Sequence, residues 1–79
     1  MKYTYNTKGV CSSTIIFEVE DDIITSLQFI GGCYGNLIGI SSLCVGMKVE
    51  DVIERLEGIK CGFKSTSCPD QLAKALKEI

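Results

Sequence analysis

The chain contains no histidine and only one proline, and no pair of its cysteines has Cys-x-x-Cys spacing. Without histidine, metal sites that use imidazole ligands are excluded, and so are catalytic Cys-His and Ser-His pairs. The chemistry available to this protein is therefore that of thiolates, carboxylates and hydroxyls.

Long apolar stretches and clusters of basic residues are also absent from the sequence. No apolar run approaches the ~18 residues of a membrane span, and the N-terminal segment MKYTYNTKG has no signal-peptide core. Eight lysines and arginines against ten acidic residues give a net charge of -2, and the basic residues are scattered. That distribution disfavours nucleic-acid binding. We expect a soluble, cytoplasmic protein that binds neither nucleic acid nor membrane.

The length of the chain, 79 residues, predicts a single domain covering residues 1–79. Hydrophobic residues make up 46% of the chain, which favours a globular fold over disorder. The hydrophobic core of such a short domain is marginal, and a metal ion, a disulfide or an oligomeric partner often adds stability. We therefore expect a globular domain with one of these additional sources of stability.

Residues of alternating character predict two β-strands between Thr14 and Ile30. The alternating positions are Ile15, Phe17 and Val19 in the first strand and Ile23, Thr25, Leu27 and Phe29 in the second. The acidic segment Glu20-Asp21-Asp22 between them predicts an antiparallel hairpin. Residues 2–7 are also rich in β-forming residues and predict a further strand before the hairpin.

After Asn36 the apolar spacing changes to that of helices. Three helices are predicted from apolar positions: Leu37, Ile40 and Leu43 to Cys44; then Val49, Val52, Ile53 and Leu56; then Leu72, Ala73, Leu76 and Ile79. Gly46 and Gly58 end the first two, and Pro69 marks the start of the third. Strands followed by helices predict an α+β domain of order βββααα, in which an antiparallel sheet of about three strands carries three helices on one face.

Five cysteines in so short a chain indicate metal or redox chemistry in a reducing compartment, and their odd number fits poorly with complete disulfide pairing. Cys11, Cys33 and Cys68 lie at the predicted ends of strands and helices, where side chains distant in sequence can converge. Cys61, in a short connection, can reach the same place. Cys44 falls on the apolar face of a helix, and we assign it to the core.

Cys68 lies at or next to the N-cap of the last helix, in the stretch STSCPD. The helix dipole and the free N–H groups of the first turn stabilise a thiolate there, which makes it a better metal ligand or nucleophile. Asp70, in the same turn, is expected to act mainly locally, by favouring the helix.

The segments GVCSSTIIFEVEDDIITSLQFIGGCYGN and GIKCGFKSTSCPDQLAKAL carry a resemblance that covers nearly the whole chain. They resemble the TSCPD family, in the form of its small stand-alone members with four characteristic cysteines. TSCPD domains also occur at the C-terminus of class II, adenosylcobalamin-dependent ribonucleotide reductases. The resemblance implies a metal site on Cys11, Cys33, Cys61 and Cys68, holding zinc in the first place or an iron-sulfur cluster.

A looser similarity, to the U-type iron-sulfur cluster assembly scaffolds, rests on Cys11 before a strand, Phe-x-Gly-Gly-Cys-x-Gly around Cys33, and Cys68 before a helix. In those scaffolds three cysteines hold zinc or a nascent cluster beside an antiparallel sheet packed by helices. The scaffolds have an aspartate where this chain has Ser13 and a histidine where it has Ser67, while Cys61 has no counterpart in them. Four thiolates satisfy tetrahedral zinc completely, which is typical of a structural site.

Two alternatives to a metal-binding module stay open. One is a thiol redox or sulfur-acceptor module for ribonucleotide reduction, in which Cys68 exchanges disulfides with Cys61 or receives sulfur. The other is a structural or interaction domain whose cysteines belong to the core. The partner would be a ribonucleotide reductase or another protein, including a second copy of the chain. The chain is too short to form the barrel and cofactor site of a reductase itself.

Overall fold

A computed structural model describes residues 1–32 and 34–79 of the chain. Three strands come first, β1 (Lys2–Asn6), β2 (Ser12–Glu20) and β3 (Ile23–Gly31). Three helices follow, α1 (Tyr34–Cys44), α2 (Val49–Leu56) and α3 (Cys68–Lys77). This is the predicted α+β order, βββααα.

The three strands form one antiparallel sheet in the order β1-β2-β3, with β2 in the centre. The turn between β2 and β3 consists of Asp21 and Asp22, which have φ angles of 52° and 64°. Two-residue hairpin turns with positive φ at both positions match the twist of the strands, and aspartate tolerates this conformation better than most residues. The predicted hairpin is confirmed, and its tight turn fixes the register of β2 against β3.

The simple alternation predicted for β3 is wrong, because the strand contains a β-bulge. Glu18 pairs with Ser26 and the next residue, Val19, pairs with Ile24, so Thr25 is an extra residue without a partner in β2. The hydroxyl of Thr25 donates to the Glu18 carbonyl (3.3 Å). Because one extra residue reverses which side chains face the core, Ile24 is fully buried and Thr25 is exposed.

The hydrophobic core lies between one face of the sheet and the helices. Its buried side chains come from β2, β3 and all three helices: Ile15, Phe17, Ile24, Leu27, Cys44, Val52, Leu72, Ala75 and Leu76. Tyr3 of β1 adds to it by stacking on Phe17, with ring centroids 5.3 Å apart. The helices therefore cover a single face of the sheet, as predicted.

The first helix differs from the prediction in which of its apolar residues are buried. Leu37 and Cys44 are buried, because residues seven apart lie on the same face of a helix and this face packs on the sheet. Leu43 lies on another face and is 76% exposed. Within the described ranges, every helix is too short or too polar to cross a membrane.

Candidate functional site

The structure describes four cysteines, all with free thiols. Cys11 and Cys61 are exposed, Cys68 is half-buried and Cys44 is buried. Cys33 lies outside the described residues. The three predicted ligands that the structure describes thus differ from Cys44, since each of them is at least partly accessible.

Cys68 is the first residue of α3, directly after the N-cap residue Ser67. The Ser67 hydroxyl accepts a hydrogen bond from the backbone N–H of Asp70 (3.1 Å) and donates one to the Ile59 carbonyl (2.6 Å). Capping of this kind satisfies an N–H group that has no partner within the helix. It also ties the start of α3 to the preceding loop, so the backbone that carries Cys68 is held from two sides.

The side chain of Cys68 contacts the segment that contains Cys11. Its sulfur lies 3.2 Å from the hydroxyl oxygen of Ser12, and either atom can donate the hydrogen bond. Ser12 is buried and immediately follows Cys11. The fold therefore places the sulfur of Cys68, the last predicted ligand, against the residue that follows Cys11, the first.

The end of β3 meets the same segment. Gly31 pairs with Ser12 in the sheet, and the backbone of Gly32 passes so close that an added Cβ would lie 3.1 Å from the Ser12 nitrogen. Gly32 also has a φ of +81°, a conformation that residues with a side chain rarely adopt. Glycine is thus required at this point by both conformation and space, and the next residue in the sequence is Cys33.

Replacement of Gly32 by alanine should destabilise the protein by about 1–3 kcal/mol, because the new methyl group combines a strained φ with two close contacts. The second of these contacts is the Leu37 side chain, 2.9 Å from the added Cβ. Urea unfolding monitored by circular dichroism measures the effect. Gly39→Ala is the matched control: Gly39 lies inside α1 with nothing within 4 Å of its added Cβ. That variant should be more stable by about 0.5–1 kcal/mol, and equal effects of the two substitutions would contradict the assignment.

Cys61 lies in the connection between α2 and α3. Its backbone N–H donates to the Thr66 carbonyl (3.2 Å), and its carbonyl accepts from the N–H of Lys64 (3.0 Å). Thr66 in turn packs beside Gly9, whose added Cβ would lie 3.6 Å from the Thr66 methyl carbon. These contacts place the Cys61 backbone beside a segment that precedes Cys68 and borders the β1–β2 connection.

The buried carboxylate of Asp70 holds the two ends of this connection together through hydrogen bonds. It is 4% exposed, and it accepts hydrogen bonds from the N–H of Gly58 (2.7 Å) and the hydroxyl of Thr66, while the Lys74 ammonium lies 3.3 Å away. Burial by itself raises the pKa of Asp70, but the bonds from Thr66 and Gly58 and the charge of Lys74 outweigh it. The pKa of this carboxyl group therefore lies below its usual value.

The expectation that Asp70 acts mainly on its own helix was wrong. Its side chain joins α3 to the end of the α2 region, 12 residues away along the chain. Sequence reasoning also missed Thr66 and Gln71: the Gln71 amide donates to the Thr66 hydroxyl and accepts from the N–H of Lys8. The Ser67-x-x-Asp70 spacing is that of a capping box and signalled the cap. Nothing in the local sequence indicates the contacts to Gly58 and Lys8.

Cys44 belongs to the core, as predicted from the sequence. It is 4% exposed and packs within the core cluster described above. Burial raises the pKa of its thiol, because the charged thiolate is disfavoured away from water. Cys44 is therefore a packing residue and the least reactive of the described cysteines.

Alkylation of the native chain should modify Cys11 and Cys61 first and leave Cys44 unmodified, since only the thiolate reacts and Cys44 is both buried and protonated. Peptide mass spectrometry after timed iodoacetamide treatment of the metal-free chain reads each site separately. In denaturant all described cysteines should react at similar rates. Modification of native Cys44 as fast as Cys11 would contradict its place in the core.

A metal ion requires several of these side chains to converge on one point. Within residues 1–32 and 34–79, no group of three or more cysteine, aspartate or glutamate side chains is placed to hold one. Thiolates are nevertheless suitable donors for zinc and for iron-sulfur clusters, and the fourth member of the set, Cys33, is not described. The assignment of Cys11, Cys33, Cys61 and Cys68 as ligands stays a prediction.

Comparison with known proteins identifies the family of the chain. No curated protein and no solved structure matches the sequence. The family model of the TSCPD domain matches residues 1–79, which is the whole chain. The protein therefore belongs to the TSCPD domain family, whose name repeats the motif that here caps α3 and carries Cys68.

Proposed function

We propose that this protein is a small metal-binding module, with Cys11, Cys33, Cys61 and Cys68 as the ligands of a zinc ion or, as the second choice, an iron-sulfur cluster. The observation that supports this most strongly is the 3.2 Å contact between the Cys68 sulfur and the Ser12 hydroxyl. It joins the segment of the first cysteine to the N-terminus of α3. A convergence of distant segments is what a site of four scattered cysteines requires.

The surroundings of Cys68 suit a structural metal better than a catalytic one. Four thiolate ligands leave no open position on a tetrahedral zinc ion. The bound ion would cross-link the β1–β2 connection, the end of β3 and the loop before α3. Asp70, Ser67 and Thr66 already fix the backbone of that loop through hydrogen bonds. Binding free energy at such a site adds to folding free energy, which a domain of this size needs.

The partner class that we propose is a ribonucleotide reductase, with this chain as an accessory protein. This part of the proposal rests on the family, because TSCPD domains also form the C-terminal part of class II reductases. The chain itself has no room for the radical chemistry of those enzymes. Its contribution would be a folded, metal-stabilised surface that binds the enzyme.

Thiol exchange is the second candidate function, favoured by the free and exposed thiol of Cys61 in the loop that leads to Cys68. In such a reaction the Cys68 thiolate attacks a disulfide of the partner and releases one partner thiolate. The Cys61 thiolate then attacks the mixed disulfide and releases the second. The partner disulfide gains two electrons, and the chain is left with a Cys61–Cys68 disulfide.

Metal analysis of the full chain distinguishes these functions. The protein is purified without oxygen in a zinc- and iron-replete medium, and its metal content and visible spectrum are measured. About one zinc ion per chain, or the absorbance of an iron-sulfur cluster, supports the metal-binding module. A chain that binds neither metal and forms a Cys61–Cys68 disulfide on mild oxidation would contradict it and support thiol exchange.

A further inference from the structure

A loop between α2 and α3 exposes an aromatic side chain to solvent. Phe63 is fully exposed, and Ile59, four residues earlier, is 42% exposed. Lys60 and Lys64 flank Phe63, and both are exposed. We call residues 59–64 the aromatic loop. It presents an apolar group between two positive charges.

Within the described residues, the two lysines of the aromatic loop have no acidic partner. Residues 58–69 contain no aspartate or glutamate, although the chain as a whole has a net charge of -2. Among the ion pairs of the described residues, none involves Lys60 or Lys64. A large apolar side chain beside unpaired charges at the tip of a loop is typical of a contact with another molecule.

A pocket with mostly acidic charged residues lies at the other end of α2, near its first residues. It has a volume of about 470 Å³ and is lined by Asp21, Asp22, Lys48, Val49, Glu50 and Ile53. Its acidic residues outnumber its one lysine three to one. Val49 and Ile53 are half-buried and pack against the core, so they give the pocket an apolar wall. We call it the acidic pocket.

The two surfaces have opposite charge, and each also has an apolar part. The acidic pocket combines apolar wall residues with carboxylates, and the aromatic loop combines a phenyl group with ammonium groups. Opposite charges arranged around an apolar contact guide association and fix its orientation. The pocket's volume lies within the ~300–1,000 Å³ of pockets that hold whole small molecules, so it has room for one phenyl ring.

Helix α2 separates the aromatic loop from the acidic pocket of the same chain, so the loop cannot bind there. The acidic pocket borders the first residues of α2, and the aromatic loop follows its last residues. A helix of eight residues is about 12 Å long. The two surfaces are therefore held apart, at opposite ends of a rigid helix.

From these observations we propose that copies of this chain associate head to tail, with Phe63 of one copy in the acidic pocket of the next and Lys60 and Lys64 paired with its carboxylates. An interface between two different surfaces of identical chains is heterologous, so it forms a ring if the rotation closes and an open chain if it does not. Cys61, a predicted ligand, lies within the aromatic loop, but the proposed contact uses only the side chains of Phe63, Lys60 and Lys64, so it does not require the proposed metal site.

Sedimentation velocity of the full chain at increasing concentration tests this proposal. Reducing agent is present throughout, so that exposed thiols cannot link the copies. We expect the average mass to rise with protein concentration and to fall with added salt, which screens the charges. Phe63→Ala should weaken association about tenfold or more, as loss of a central aromatic contact does. A wild-type chain that stays monomeric at all concentrations would overturn the proposal.

Two charge-reversed variants make the test specific to these surfaces. Lys60→Glu/Lys64→Glu makes the aromatic loop negative, and Asp21→Asn/Asp22→Asn/Glu50→Lys makes the acidic pocket positive. Each variant alone should be monomeric, because its two surfaces then have like charge. An equimolar mixture should associate again, since the negative loop of the first fits the positive pocket of the second, and the remaining wild-type surfaces also match. Failure of the mixture to associate would show that the contact does not involve these surfaces.

A control variant and two further measurements complete the design. Lys2→Glu/Lys8→Glu changes the net charge as the loop variant does but leaves both surfaces intact, and it should associate like the wild type. Circular dichroism confirms that each variant is folded. Metal content is determined in parallel and should not change, so a failure of head-to-tail association and a failure of metal binding are separate results.

Discussion

Replacement of Cys68 by serine should abolish metal binding and lower the melting temperature by roughly 15–30 °C. A ligand at about a thousandfold excess over its Kd stabilises the folded state by about 4 kcal/mol. In a domain of this size, each kcal/mol corresponds to about 4–8 °C. The substitution removes a thiolate but keeps a hydroxyl that can still bond to Ser12. A purely structural role of the Cys68 side chain would therefore survive it with little loss.

Metal analysis and thermal unfolding with and without a chelator measure the effect. The chelator should lower the melting temperature of the wild type to that of Cys68→Ser and leave the variant unchanged. Cys44→Ser is the control: it places a hydroxyl in the core and should cost about 1–3 kcal/mol, but it should keep its metal. Full metal content in Cys68→Ser would contradict the metal-binding proposal.

Asp70→Ala should destabilise the protein by about 3 kcal/mol, independently of any metal. The substitution leaves the N–H of Gly58 and the hydroxyl of Thr66 without their acceptor, and hydrogen bonds to charged groups contribute about 1.5–3 kcal/mol each. The chain from Gly58 to Thr66 should become mobile as well. Chelator-treated protein gives the stability by urea unfolding, and hydrogen exchange reports the opening of residues 58–66.

Lys74→Ala separates the ion pair from the buried hydrogen bonds. Lys74 is about half exposed, so its pair with Asp70 contributes at most about 1 kcal/mol. We expect this variant to stay close to the wild type in stability and in hydrogen exchange. If Asp70→Ala were equally mild, the carboxylate would not organise the loop, and the fixed backbone around Cys68 would need another explanation.

The order of the strands and helices could be predicted because each segment shows its own periodicity. The alternating apolar residues of β2 are the ones whose side chains the structure buries, fully or in part. The same is true of Val49, Val52 and Leu56 in α2. Cys44 was placed in the core for the same reason. The bulge at Thr25 could not be predicted, since a single extra residue leaves the composition of the strand unchanged while reversing its faces.

For the candidate site, the sequence predicted only which cysteines lie at the ends of strands and helices. That Cys68 starts a helix follows from Pro69 and the cap, which are local signals. The contact between Cys68 and Ser12 depends on how α3 packs on the sheet, and no pattern within either segment specifies it. The same holds for Asp70, whose partners Gly58 and Thr66 are selected by the path of the loop.

The contact of Ser12 with Cys68 joins residues 56 positions apart, and this separation affects how the protein is made. The hairpin β2–β3 can form as soon as residues 12–31 have left the ribosome, because its contacts are local. The candidate metal site includes Cys68, which follows the hairpin by 37 residues or more, so it cannot assemble until the start of α3 has also left the ribosome. Loading of the proposed metal would therefore follow the emergence of α3, and the thiols of Cys11 and Cys33 leave the ribosome well before Cys68 can join them.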